Sequence, residues 1–100
     1  MNTLHLLSHS PFSDNRLSSC LRLLGAGDGV LLSGDAVYAL QDGSAPYAEL
    51  ALAPDSIALF ALAEDLQARG ITALPARVKL IDYPAFVELC THYTKVNSWL

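Results

Sequence analysis

Charge is scarce in this sequence. Of its 100 residues, 16% are charged and 52% are hydrophobic, whereas an average domain carries about 25% charged residues. The net charge is −4, and the six lysines and arginines are scattered along the chain. Because a nucleic-acid-binding domain usually concentrates basic residues in one patch, we expect no direct contact with nucleic acid.

Long hydrophobic runs are also missing. No segment reaches the roughly 18–20 consecutive apolar residues of a membrane-spanning helix. The start of the sequence lacks a basic stretch followed by an apolar core and a small-residue cleavage site. We therefore expect a cytoplasmic protein without a membrane segment.

Cysteine occurs only twice, at Cys20 and Cys90. Two distant cysteines do not form a disulfide framework, and a reducing compartment is the simpler interpretation. No Cys-x-x-Cys pair is present to bind zinc. His5 and His9 are predicted to lie on a strand and its following turn, so their spacing does not direct two imidazoles at one ion. The sequence predicts no metal site and indicates no cofactor.

What the sequence does contain is an alternation of apolar runs of strand length with amphipathic helices. The predicted strands are residues 3–7, 29–33, 56–61, 77–81 and 96–100. The predicted helices are residues 16–24, 36–40, 47–52, 64–69 and 84–93. This order predicts one α/β domain over residues 1–100, with a flavodoxin-like three-layer α/β/α arrangement and a mostly parallel sheet of about five strands.

The apolar content is high for a domain that buries only about 60–70% of its unfolded surface. Part of the surface is therefore expected to be covered by another chain, since large apolar patches usually mark interfaces. Tyr83 and Trp99 are the candidate interface residues, because tyrosine and tryptophan are enriched at such surfaces. Trp99 has a second interpretation, in which it is tucked against the sheet edge.

Cys20 is the candidate for covalent chemistry. It lies mid-helix on one stripe with Leu17, Leu21 and Leu24, which indicates a small buried hydrophobic residue. Arg16, one turn earlier, would support a thiolate if the helix were rotated outward. Both interpretations, the reactive and the buried, stay open at this point.

A second candidate site lies where the first two predicted strands end. Doubly wound sheets bind ligands outside the carboxyl ends of their strands, and His9 and Asp35 follow the first and second strands. A histidine exposed in a loop is the plainer alternative for His9. The glycines at 25, 27 and 29 follow a helix, whereas a dinucleotide loop must open one, so they predict a turn and not a phosphate site.

Several blocks of the sequence resemble the DsrH/TusB family of sulfur-relay subunits. The blocks are residues 4–6, 10–12, 21–24, 28–32, 62–70, 79–83, 86–87 and 98–99. The most characteristic combination is Glu64-Asp-x-x-Ala-Arg-Gly70 followed by Ile81-Asp-Tyr83 and the terminal Trp99. The resemblance spans nearly the whole chain in order, with a gap around residues 44–53.

The resemblance implies a DsrE/DsrF/DsrH-like fold and a subunit of a heterohexamer, a dimer of heterotrimers formed with DsrE/TusD-like and DsrF/TusC-like subunits. Such complexes pass persulfide sulfur between carrier proteins. In the Tus version the sulfur goes on to the wobble uridine of tRNA, and in the Dsr version it serves sulfur oxidation. The family's main persulfide cysteine belongs to the DsrE/TusD-like subunit, and only some members have a cysteine at the position of Cys20.

The leading hypothesis is therefore a largely structural, non-catalytic subunit of a sulfurtransferase complex, acting in 2-thiolation of the tRNA wobble uridine. One alternative makes the chain a persulfide-carrying sulfurtransferase that uses Cys20. Another places it in dissimilatory sulfur oxidation.

Overall fold

The computed structural model describes residues 2–99. Its strands are β1 (Thr3–Leu7), β2 (Gly29–Leu32), β3 (Ala58–Leu62), β4 (Val78–Ile81) and β5 (Lys95–Trp99). They form one five-stranded sheet in the order β4-β3-β2-β1-β5, and every neighbouring pair is parallel. The second strand is therefore central, the first lies between it and β5, and β4 and β5 are the edges.

Helical segments connect the strands. They are α1 (Arg16–Leu23), a 3₁₀ helix (Gly34–Leu40), α2 (Ala45–Ala51), α3 (Ala63–Ala68) and α4 (Tyr83–Cys90). Local sequence explains where some of them begin. The side chain of Asp82 accepts a hydrogen bond from the backbone N–H of Ala85 at the start of α4, and a proline occupies the first turn, where its missing N–H costs nothing.

The strand order determines which side of the sheet each helix covers. From β1 to β4 the chain moves in one direction across the sheet, so right-handed crossovers place the intervening helices on one face. The step from β4 to β5 runs the opposite way, and α4 therefore lies on the other face. We call these face A, which carries Leu7, Val30, Leu32, Leu59 and Ala61, and face B, which carries Leu4, Leu31, Phe60, Leu62 and Ile81.

Each face has its own apolar core. On face A, buried residues of α1, the 3₁₀ helix, α2 and α3 pack against the strands, among them Cys20, Val37, Leu50 and Leu66. On face B, Phe86 and Leu89 of α4 pack against the strands but stay partly exposed. None of the α4 residues is fully buried.

The predicted three-layer α/β/α architecture with a parallel sheet of five strands is confirmed. The reversal of strand order falls between β4 and β5, whereas in the flavodoxin order 2-1-3-4-5 it follows the second strand. The predicted strands and helices are all present, with ends that shift by a few residues. Leu100, placed in the last predicted strand, lies outside the described residues.

Candidate functional site

Cys20 lies in the middle of α1, on the side of the helix that packs against face A. Its side chain is fully buried in one cluster with Leu17, Leu21 and Leu24. Burial raises the pKa of the Cys20 thiol to about 12, and the negative charge of nearby Asp28 acts in the same direction. At neutral pH the sulfur is therefore a protonated thiol shielded from water.

Sulfur transfer by a cysteine needs a thiolate that a sulfur donor can reach. The burial and raised pKa of Cys20 work against both requirements, and Arg16, one turn earlier, pairs with the carboxylate of Asp14. This geometry supports the interpretation of Cys20 as a small apolar core residue. Its reactivity stays a prediction.

The second cysteine, Cys90, occupies the last position of α4. It is partly buried against face B, in one cluster with Phe86 and Leu89. Both cysteines are free thiols. They therefore lie on opposite faces of the sheet and differ in their access to water.

A buried polar network surrounds Asp28, which lies just before β2. Its carboxylate accepts hydrogen bonds from the backbone N–H of Thr3 at 2.9 Å and of Gly25 at 3.0 Å. Nε2 of His5 lies 3.4 Å from the same carboxylate. Nδ1 of His5 accepts a hydrogen bond from the indole Nε1 of Trp99 at 3.1 Å. We call these five residues the Asp28 cluster.

The Asp28 cluster holds a negative charge in a buried position. Burial by itself raises the pKa of the Asp28 carboxyl, but hydrogen bonds from the Gly25 and Thr3 backbone and from His5 outweigh it and hold the pKa below its usual range. Burial, and then the charge of Asp28, raises the pKa of the Tyr93 phenol. The region therefore combines an ionised carboxylate with a neutral phenol.

Sequence reasoning missed Asp28 and gave His5 no role beyond a place on the first predicted strand. The available signal was an acidic residue directly before a strand buried on both faces, in a chain with little charge. A carboxylate at such a position satisfies backbone N–H groups that would otherwise lack partners. His5 is in fact almost fully buried, at 6% exposure.

The predicted strand-end site lies at the edge where β1 and β2 end. His9 is exposed in the turn after β1, and Asp35 is exposed in the first turn of the 3₁₀ helix. Asp35 accepts two hydrogen bonds from Arg69, at 2.9 and 3.1 Å. Within residues 2–99 no hydrogen bond or ion pair joins His9 to Asp35. A ligand site here stays a prediction.

The charged groups at this edge link neighbouring helices. Arg69 of α3 bonds to Asp35 and lies 5.8 Å from the ring centre of Tyr38. The backbone N–H of Gly34 donates to Asp65 at 2.8 Å. These contacts tie the 3₁₀ helix to α3, so a ligand would have to displace them.

The two predicted interface residues have different surroundings. Tyr83 begins α4 and is 57% exposed, and its ring makes an edge contact with Phe86. Val87, one turn further along the same side of α4, is 61% exposed. Trp99 is half-buried at the end of β5, packs against the face A cluster and bonds to His5. An interface role stays a prediction for both Tyr83 and Trp99.

The pockets formed by the described residues are small. They measure about 140 Å³ between α2 and β4, 270 Å³ beside α3 and 260 Å³ beside α4, whereas ligand sites usually occupy about 300–1,000 Å³. Among residues 2–99, no group of three or more His, Cys, Asp or Glu is arranged to hold a metal ion. No helix in the same range has the length and apolarity to cross a membrane.

The fold and its surfaces define a class of protein: a small α/β protein with a parallel sheet, a shielded thiol on one face and a partly covered apolar layer on the other. The chain matches the family of DsrH-like proteins over residues 9–96. It belongs to that family.

Curated relatives cover almost the entire chain. It is 45% identical over 97 residues to Protein TusB of Erwinia tasmaniensis, an alignment that covers 96% of this chain and 99% of that protein. Identity to Protein TusB of Serratia proteamaculans is 42% with the same coverage. Identity to Protein TusB of Escherichia coli K12 is 40%, again covering 96% of this chain and 99% of that protein.

Solved structures share the fold at low sequence identity. The crystal structure of the ychN protein from E. coli superimposes with a TM-score of 0.82 at 18% identity, covering 99% of this chain and 100% of that one. A protein of unknown function from Methanobacterium thermoautotrophicum gives a TM-score of 0.71 at 13% identity, covering 96% of each chain. These likenesses concern the fold alone.

Proposed function

We propose that this chain is a largely structural subunit of a sulfur-relay complex that passes persulfide sulfur between carrier proteins. Membership of the DsrH family and similarity to TusB proteins support a role in sulfur relay in general. The proposed partners are DsrE/TusD-like and DsrF/TusC-like subunits in a dimer of heterotrimers. Sulfur-carrier proteins would meet this subunit only through the complex.

The observation that carries the proposal is the outer surface of α4. Tyr83 and Val87 are 57% and 61% exposed on one side of this helix, and no residue of α4 is fully buried. Val96 of β5 adds a third apolar side chain on face B, at 44% exposure. Tyr83 and Val87 lie one turn apart on α4, and an exposed apolar patch on a small protein usually marks a contact with another protein.

The burial and the raised pKa of Cys20 support a structural role. A persulfide carrier presents a low-pKa thiol to its donor, whereas the pKa of Cys20 is raised to about 12 in a fully buried position. In this proposal the complex takes its reactive cysteine from another subunit. This chain would hold the DsrE/TusD-like and DsrF/TusC-like subunits in position.

We assign the complex to 2-thiolation of the tRNA wobble uridine, because the relatives that match over nearly the full length carry the name TusB. The net charge of −4 supports an indirect connection to tRNA through the complex, without contact by this chain. Two free thiols are compatible with a reducing cytoplasm, where we propose that the chain works.

Co-expression of tagged TusC-like and TusD-like subunits with this chain tests the assembly. Native mass measurement should give a complex with two copies of each subunit. Val87→Glu should weaken association at least about tenfold, a loss of roughly 1.4 kcal/mol, because it places a charge on the exposed apolar side of α4. Tyr83→Ala should weaken association in the same direction.

The matched control is Leu23→Glu on α1, an exposed apolar helix position at 69% exposure on the face A side. It should leave association unchanged. Each variant alone should keep its stability within about 0.5 kcal/mol, since the positions are exposed. If the wild-type chain remains a monomer in the presence of both partners, the proposed assembly is contradicted. If Leu23→Glu weakens association and Val87→Glu does not, the interface lies on the face A side.

A further inference from the structure

Trp99 fixes the protonation pattern of His5. An indole N–H only donates hydrogen bonds, so its partner, Nδ1 of His5 at 3.1 Å, must accept and carries no proton. The ring proton of the neutral imidazole is then on Nε2, which faces the Asp28 carboxylate at 3.4 Å. Both nitrogens of the buried ring therefore have partners, and the hydrogen-bond network selects the tautomer with its proton on Nε2.

A second proton on His5 would act differently on its two partners. The imidazolium carries N–H on both ring nitrogens, so the contact with the Asp28 carboxylate becomes stronger. On the other side, the new N–H at Nδ1 would point at the indole N–H of Trp99, and two donors would face each other. Asp28 is fixed by backbone N–H groups of Thr3 and Gly25, and the indole is therefore the partner that moves.

Without the contact between Trp99 and His5, the last strand would be weakly attached to the rest of the protein. Four of the five residues of β5 are exposed, and Trp99 is the one that reaches the face A cluster. β5 is an edge strand paired only with β1. Loss of the Trp99 anchor would therefore leave the backbone ladder to β1 as its main support.

Among the described residues, the other titratable groups whose pKa responds to the charge of Asp28 supply no positive charge. The titratable groups beside Asp28 are Cys20 of α1 and Tyr93, and both stay neutral because their pKa values are raised. Lys95 shares the side of β5 that carries Trp99, and its side chain is exposed.

We propose that His5 is a protonation-dependent latch for the last strand: β5 and Trp99 stay docked while Nδ1 of His5 is unprotonated, and they loosen when the imidazole becomes doubly protonated. This inference goes beyond the role in sulfur relay and is independent of it. It concerns the isolated chain and three side chains within it.

The single tryptophan makes the latch measurable. We would record Trp99 emission and hydrogen-exchange protection of the β5 amides on the full chain from about pH 8 down to about pH 5, and follow protonation of the His5 ring by its ¹⁵N shifts. Protonation should shift the emission to the red and lower the β5 protection factors, while β2 and β3 keep theirs. Unchanged β5 protection while His5 takes up a proton would overturn the proposal.

His5→Asn keeps a carbonyl oxygen as an acceptor for Trp99 and removes the titration, so its emission should become independent of pH in this range. The matched controls, His9→Asn and His92→Asn, change exposed histidines and should leave the response intact. Should His5→Asn not fold, ¹⁵N shifts of the wild-type His5 ring decide the matter. The proton on Nε2 at high pH supports the latch, and a proton on Nδ1 overturns it.

Discussion

Face A is covered by α1, the 3₁₀ helix, α2 and α3, whereas on face B the described residues supply only α4. The side chains facing the two sides of the central strands are similarly apolar, with Val30 and Leu32 on face A and Leu31 on face B. The difference arises from strand order, because three crossovers in one direction place their helices together. A chain with this topology completes one core and leaves the other only partly covered.

The largest expected effect compares equivalent leucines in helices on the two faces. Leu66→Ala in α3 removes a side chain that is only 3% exposed and should lower the free energy of unfolding by about 3 kcal/mol. Leu89→Ala in α4 removes a partly exposed side chain and should cost about 1 kcal/mol. Urea denaturation of the isolated chain measures both. Equal losses would show that face B is as well packed as face A.

The next effect concerns Asp28, which bonds to His5 on face A and lies near Tyr93, which packs on face B. Asp28→Asn should lower the free energy of unfolding at pH 7 by about 2 kcal/mol, because backbone N–H groups lose a charged acceptor. Folding lowers the pKa of Asp28. Its stabilising contribution is therefore fully present above the unfolded-state pKa of about 3.9 and is lost as the pH falls through the folded-state pKa.

The free energies of unfolding of wild type and Asp28→Asn should therefore become equal at acidic pH and differ increasingly towards neutral pH. Thermal unfolding at a series of pH values measures this, with Asp55→Asn at an exposed loop position as the control. A constant gap between wild type and Asp28→Asn at all pH values would show that the carboxylate charge does not stabilise the fold.

The smallest expected effect is on the thiols. A thiol reagent should modify Cys90 on face B faster than Cys20 on face A, since Cys90 is only partly buried. Loading with a persulfide donor should add no mass of about 32 Da to Cys20, because a buried, protonated thiol does not attack. Intact-protein and peptide mass spectrometry measure both. A persulfide on Cys20 in the isolated chain would favour the sulfurtransferase alternative.

Local pattern was sufficient to predict the elements of this fold. The apolar run at residues 3–7 and the glycine-bounded run after residue 28 gave β1 and β2, since burial on both faces leaves near-continuous apolar sequence. Pro84 gave the start of α4 to within one residue. Asp35 is different: the sequence indicated a candidate ligand residue at a strand end, and the structure pairs it with Arg69 of α3.

The candidate site depended on contacts that local pattern does not contain. Trp99 and His5 are 94 residues apart, so neither residue's neighbours reveal the hydrogen bond between them. The burial of Cys20 could be predicted from its stripe, whereas the acceptor role of Asp28 depends on how the segment before β2 meets Thr3. Contacts between residues far apart in the sequence depend on the tertiary structure, and the spacing of apolar residues does not predict them.

The position of β5 beside β1 also has a consequence for synthesis. Of the five strands of this sheet, the first to be synthesised pairs with the last, and long-range closure of this kind slows folding. Until then, one edge of β1 is without its ladder partner. An unpaired strand edge is a template for pairing with another chain, so this edge is open to mispairing until β5 is made.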